Sequence, residues 1–259
     1  MSTGERGFAL LVVLWTVAVL ALLGSHITAA ARAATARAAA LRGGAVAAAT
    51  VDGLVHEAIF RLLDPSPRHW AADGVPHRVT LARGHADVLL TSEAGRINPS
   101  FAPAPLLQIL LHGVGVPEAQ ATALAAAIRD WHLIGAANPA PYQAAHLPYL
   151  PPGEKFLDVG ELGLVAGMTP ELLARLAPFL TVYTDGRVDA AQADPLVARV
   201  LQAAGAEQRL QAPDPGGAMV VRIAAHAALP DGEAWREAVV RIDLSEDDPG
   251  ASCQILAWR

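Results

Sequence analysis

The chain has 259 residues, enough for one large domain or two small ones with a buried core. Apolar residues make up 53% and charged residues 17%, an excess concentrated as alanine and leucine near the N-terminus. The formal net charge of −6 argues against a nucleic-acid partner, because neutralising phosphate needs clustered Lys and Arg, and the one cysteine, Cys253, excludes an internal disulfide.

Met1 to Gly7 is short and polar and ends in Arg6-Gly7. Phe8 to Leu23 then reads FALLVVLWTVAVLALL, with no charge and only Thr16 polar. With Gly24 to Ile27 the uncharged run reaches about twenty residues, enough to cross a hydrocarbon core of roughly 30 Å. A secretory signal would have a shorter apolar core and a small-residue cleavage site. Here the helical pattern continues instead through alanine-rich Ala29 to Ala40, with Arg32, Arg37 and Arg42 beyond the apolar run. Helix propensity stays high to about Leu63, and Gly43, Gly44 and Gly53 each cost roughly 1 kcal/mol against alanine. Asp64-Pro65-Ser66-Pro67 ends the helix, since proline disfavours helix at the residue before it. A continuous helix from Phe8 is about 80 Å long, its first third in the bilayer. On pattern alone an ordinary single-pass anchor with an alanine-rich linker reads equally well.

Beyond the helix, His77 to Leu81 and Ala86 to Leu90 are predicted strands about a turn at Arg83-Gly84. Helical segments follow at Pro105 to His112, Pro117 to Trp131, Val159 to Val165 and Pro170 to Leu176, with Thr169 as a cap and Pro170 in the first turn. Trp131 to Phe156 reads as a long loop rich in proline, glycine and alanine. Thr181 to Tyr183 is a predicted strand before a turn at Asp185-Gly186, and Pro195 to Ala204 a short helix. Met219 to Ala225, Trp235 to Leu244 and Cys253 to Trp258 are predicted strands of an antiparallel sheet. The order of helix, strands, helical block and strands is that of an α+β fold with a helical insertion.

Chemical signals are sparse. His56-Glu57 lacks a second histidine at zinc-protease spacing, no serine stands in a Gly-x-Ser-x-Gly setting, and nothing groups the nine histidines. His112-Gly113-Val114-Gly115-Val116 before a helix has the form of a helix-hairpin-helix turn, but basic residues are few around it. Cys253 reads as a small buried hydrophobe, and Trp15, Trp70, Trp131, Trp235 and Trp258 as packed in cores or at the membrane boundary. Two alternative classes follow: a membrane-anchored nucleic-acid-binding module and a membrane-tethered hydrolase.

The Arg6-Gly7-Phe8 junction ahead of an apolar helix resembles the type IV prepilin signal. Most pilins and pseudopilins carry glutamate as the fifth mature residue, where this chain has Val12. The K class of type II secretion minor pseudopilins lacks that glutamate. The resemblance to this class extends over GRINPSF (Gly95 to Phe101), AIRDW (Ala127 to Trp131), FLDVGELGLVAGMTPELLARLAPFLTVYTDGRVDAAQA (Phe156 to Ala193) and the terminal ILAWR (Ile255 to Arg259).

The resemblance implies a leader at 1–7, a helix at 8–64 whose first part spans the membrane, a pilin-like α+β domain formed by 65–98 and 179–259, and an inserted α-helical domain at 99–178. It implies cleavage by a prepilin peptidase after Gly7, N-methylation of Phe8, and filament packing through Leu11, Val12 and Trp15. It further implies a non-enzymatic subunit at the filament tip, in the inner membrane with its C-terminal domain in the periplasm. The implied partners are I- and J-type minor pseudopilins and the major pseudopilin, with no nucleic acid. Relatives of this class bind calcium beyond the Asp-Trp pair. Here Asp130 is followed by no carboxylate before Glu154, too few oxygen donors for six to eight ligands, so no cofactor is expected and Asp130 is the only candidate ligand.

Overall fold

The computed structural model describes residues 3–133, 138–205, 218–243 and 252–259, with side chains from residue 11 onward. Helix α1, Thr3–Leu63, runs unbroken for 61 residues, about 90 Å at 1.5 Å per residue. Its buried positions Ala47, Val51, Leu54, Val55, Ala58 and Leu62 follow the i, i+3/i+4 spacing of one helix face, one apolar stripe on an otherwise solvated helix. At its end the Ser66 N–H donates to Asp64 Oδ1 at 2.9 Å, and that bond holds the Asp64 carboxyl below its ordinary value.

Five strands form one sheet in the order β1-β2-β3-β4-β5: Asp73–Thr80, His85–Ser92, Met219–Leu229, Gly232–Asp243 and Ser252–Trp258. β4 and β5 pair antiparallel, Ala238 opposite Trp258 and Asp243 opposite Ser252, with a bulge between Val239 and Val240. β1 starts four residues earlier than expected, at Asp73. The expected strand Thr181–Tyr183 is instead a single parallel bridge between Ile97 and Leu180, with the Thr181 N–H donating to Ile97 O at 3.0 Å. The chain then bends at once, because the Thr181 hydroxyl accepts from the Tyr183 N–H.

The chain divides into two compact units. One gathers 1–54, 78–87 and 225–236. In it Gly43 of α1 meets the β3–β4 turn so closely that a Cβ there would overlap the Asp231 carbonyl. Arg236 Nε donates to Asp52 Oδ1 at 2.6 Å, and Arg83 pairs with Asp231 at 2.9 Å.

The other unit, 55–77, 88–224 and 237–259, contains the helical block. Its helices are α2 (Ala104–Gly113), α3 (Glu118–Trp131), α4 (Ala140–Ala144), α5 (Pro170–Leu176) and α6 (Pro195–Ala203), with 3-10 turns at Val159–Leu164 and Ala177–Phe179. α4 lies in the stretch expected to be a loop, started by Asn138, whose side chain accepts from the Ala140 N–H. Leu106, Leu110, Leu124, Ile128, Trp131 and Phe156 form the centre of the core, which also takes Val197, Val200 and Leu201 from α6.

Where the helical block leaves β2, Glu93 is fully buried. Its Oε1 accepts from Arg222 Nε of β3 at 2.8 Å and lies 3.2 Å from Arg96 Nη1, while Arg222 Nη1 also reaches Glu237 of β4. Burial works against the Arg222 charge, but the hydrogen bond and charge of Glu93, with the charge of Glu237, lift its pKa above the ordinary value. At Arg96 burial wins, and the pKa falls below the ordinary value despite Glu93.

Two predictions follow from this packing. Glu93→Gln keeps the volume but leaves Arg96 and Arg222 short of one carboxylate, so denaturant unfolding should show a loss of about 3–5 kcal/mol; a loss below about 1 kcal/mol would mean that the knot contributes nothing. Gly43→Ala should lower stability by about 1–3 kcal/mol through overlap with the Asp231 carbonyl. Gly44→Ala, which meets nothing within 4 Å, should raise it by up to about 1 kcal/mol. Thermal melts showing the same sign for both alanines would refute the close approach.

Candidate functional site

The front of α1 is the most unusual surface among the described residues. Leu11 and Trp15 are each 66% exposed and Val12 42%, in a stretch with no ionisable group except His26 up to Arg32. Aliphatic side chains stand on all sides of the helix, and α1 is long and apolar enough to cross a membrane. Its hydroxyls are turned inward: Thr16 Oγ1 donates to Val13 O at 2.8 Å, Ser25 Oγ to Leu22 O at 2.7 Å and Thr28 Oγ1 to Gly24 O at 3.0 Å. The segment therefore offers no unpaired hydroxyl proton to lipid, where each such group is costly. Gly7 and Phe8 lie on the helix backbone, with their side chains outside the described residues. The helix brings Leu11, Val12 and Trp15 together within two turns on an uncovered surface.

Asp130 sits in the last turn of α3, its carboxylate 3.9 Å from Arg129 Nη2. Among the described residues no group of three His, Cys, Asp or Glu could hold a metal ion. Residues 134–137 lie outside the described residues and include no Asp or Glu. Asn138 spends its side-chain oxygen on the Ala140 N–H. One carboxylate and one engaged amide do not fit a hard cation that takes six to eight oxygens.

The turn between α2 and α3 places Gly115 at φ +90°, a conformation that favours glycine. Its amides face inward: Val114 N–H donates to Leu110 O, Gly115 N–H to His112 O and Val116 N–H to Leu111 O. Arg175 Nη1 binds the Val114 carbonyl at 2.9 Å. A phosphate-binding turn needs free amides, and here they are engaged within the fold.

His56 packs against Trp258, with ring centroids 5.7 Å apart. Three expectations for single residues are corrected. Cys253 is exposed, because β5 is an edge strand. Trp70 is half-buried outside the main core and stacks on His77 at 4.5 Å, with the Arg61 guanidinium 5.9 Å from its ring. Trp235 is 65% exposed on β4. Alternation had placed Trp235 on a strand, but the strand's two faces could not be told apart without the sheet. The Glu93 knot was missed altogether, and its one sequence signal was a Glu beside a hydrophobic strand.

The family model for "Type II secretion system (T2SS), protein K" matches residues 89–185. A type II secretion system protein K of Klebsiella pneumoniae is 28% identical over 214 residues, covering 71% of this chain and 65% of the relative's length. A chain in the crystal structure of the GspK-GspI-GspJ complex from the type 2 secretion system of enterotoxigenic Escherichia coli superposes with a TM-score of 0.60 at 15% identity, covering 88% of this chain and 98% of that one. The α+β fold with a long N-terminal helix is thus shared with a solved protein, and the family match runs from the second half of β2 through α5. At residues 89–185 the chain is thus similar to protein K of type II secretion systems.

Proposed function

We propose that the chain is a minor pseudopilin that caps and initiates a type II secretion pseudopilus, and that it acts by packing and not by catalysis. The observation that supports this most directly is the front of α1, where Val12 occupies the position at which most pilins carry glutamate. A carboxylate at that depth in lipid costs about 2.5–3.5 kcal/mol unless it is paired. In a filament its partner is the N-terminal amine of the neighbouring subunit, and a subunit at the tip has no neighbour ahead of it. An aliphatic residue at this position suits the tip.

In this reading a prepilin peptidase cuts after Gly7 and methylates Phe8. Leu11, Val12 and Trp15 then pack against the helices of I- and J-type minor pseudopilins and of the major pseudopilin. The anchor lies in the inner membrane and the remainder of the chain in the periplasm. The helical block carries a core of its own, bulk that a repeating filament interior would not accommodate, and this also favours the end position. The subunit works without bound calcium, since the donors beyond Asp130 are too few.

Intact mass after co-expression with a prepilin peptidase tests the assignment. The expected product lacks Met1 to Gly7 and gains one methyl group, and Gly7→Val should remain uncut. A full-length wild-type chain beside an active peptidase would refute the reading and leave a single-pass anchored domain. A second measurement bears on calcium. Adding millimolar calcium, or a chelator, should shift the thermal midpoint by less than about 1 °C; linkage with a site bound at a hundred times its Kd would stabilise by about 2.7 kcal/mol and be obvious.

A further inference from the structure

The arginines of this chain are used unevenly. Between Arg6 and Asp52 the sequence holds no Asp or Glu, and Arg32, Arg37 and Arg42 follow the apolar run there. All three are exposed on α1, and no ion pair is found for any of them among the described residues. Elsewhere Arg61, Arg78, Arg83, Arg222, Arg236 and Arg241 each face a carboxylate. From Asp52 onward the balance reverses, with 15 Lys and Arg against 24 Asp and Glu.

The five-residue spacing turns each arginine about 140° from the one before and sets it about 7.5 Å farther along α1. The three therefore point to different sides of the helix, which a partner docked on one face would not use together. A lipid layer surrounds a helix on every side. Helical side chains lean toward the helix N-terminus, here toward the apolar run. The residues three and four positions back are small: Thr28 and Ala29 for Arg32, Ala33 and Ala34 for Arg37, Ala38 and Ala39 for Arg42. They leave each guanidinium free to reach back along the helix. With the hydrocarbon ending near Ile27, Arg32 stands about 7.5 Å outside it, at headgroup level, Arg37 about 15 Å and Arg42 about 22 Å. Arg42 also lines a groove that holds the Arg83–Asp231 pair. Basic residues are usually biased to the cytoplasmic flank of a span, so the proposed orientation does not account for three on the other side.

We propose that Arg32, Arg37 and Arg42 form a collar that binds anionic phospholipid headgroups of the leaflet through which α1 leaves the bilayer, most strongly at Arg32 and least at Arg42. The inference rests on the membrane-anchored reading of α1. A guanidinium keeps its charge and offers phosphate two parallel N–H donors. The acidic remainder of the chain is repelled by the same surface, so attraction at the collar and repulsion beyond it together set how deep α1 sits.

The full chain in phosphatidylcholine vesicles, with trace spin-labelled phosphatidylglycerol or phosphatidylcholine, shows which lipid the protein immobilises. The wild type should favour phosphatidylglycerol by at least about threefold in 0.01 M NaCl. Most of that preference should vanish in 1 M NaCl, where the screening length falls from about 30 to about 3 Å. Combining Arg32→Gln, Arg37→Gln and Arg42→Gln should remove at least roughly half of the preference. Singly, Arg32→Gln should cost the most and Arg42→Gln the least. Arg68→Gln, at an exposed position past the end of α1, should change nothing. Inorganic phosphate should weaken the preference no more than chloride at equal ionic strength. Equal affinity of the wild type for both lipids, a reversed order of the single variants, or selective displacement by phosphate overturns the proposal. An unaltered lipid preference in the triple variant, beside loss of a co-purified pseudopilin, overturns it in favour of a protein interface. A wild-type chain that alkaline carbonate strips from the vesicles refutes the anchor itself, whereas an inserted chain without lipid preference refutes the collar alone.

Discussion

A fully buried carboxylate anchors the junction between sheet and helical block. Glu93 directly follows β2, and its backbone N–H continues the sheet by donating to Val220 O at 2.9 Å. Removing a carboxylate from water costs several kcal/mol, so the site is stable only because two guanidiniums converge on one oxygen. Two arginines beside one glutamate would leave an excess of positive charge, and Glu237 restores the balance through Arg222. The opposite pKa directions of Arg222 and Arg96 show how unevenly the compensation falls. Arg222 touches two carboxylates and keeps its charge easily, whereas Arg96 touches one and feels mainly desolvation. Apolar residues of equal volume could have filled this space. Ionic groups, however, accept only the arrangement in which β2, β3 and β4 supply their members together, and that ties the departure angle of the helical block to the register of the sheet.

The long helix meets a different constraint, because its two halves present different surfaces. Its front is apolar on every side and its hydroxyls are spent on its own carbonyls, as lipid requires. Its rear is apolar along one stripe only, from Ala47 to Leu62, as water requires. The glycines between these regimes do unequal work. Gly43 is needed where the helix passes the Asp231 carbonyl, while Gly44 and Gly53 face open space and weaken the helix without a contact in return.

Much of this was legible before any coordinates. The length of α1 and its stop at Asp64-Pro65 followed from propensity and from the steric effect of proline, and the helices near Pro105, Pro117 and Pro170 followed from proline and cap signals at their starts. What failed shared one cause: the outcome depended on which neighbour the chain met. Thr181 to Tyr183 has the composition of a strand but finds only Ile97 to pair with before its own hydroxyl turns it. Cys253 and Trp235 lie on strands as expected, yet one is on an edge and the other on the solvated face. Pairing of Glu93 with Arg222 joins residues 129 apart in sequence, a separation at which no local pattern informs.

The same dependence on distant partners shows in how Trp131 and Phe156, at the two ends of the stretch after Asp130, are held together. Trp131 closes α3 and stacks on Phe156 with ring centroids 5.7 Å apart and planes within 6°. Tyr142 of α4 tilts against the same indole at 6.4 Å and meets Tyr149 edge-on at 6.1 Å. The Ser100 hydroxyl accepts from the Phe156 N–H at 3.0 Å, and the Trp131 carbonyl accepts from Gly153 at 3.0 Å, so the two ends of the stretch are fixed to each other and to the GRINPSF segment. Aromatic pairs contribute about 0.5–1.5 kcal/mol each beyond the area they bury, and three such contacts lie here beside two hydrogen bonds donated by backbone amides. Trp131, Tyr142 and Phe156 are buried, so this packing belongs to the core, with Tyr149 partly buried against it.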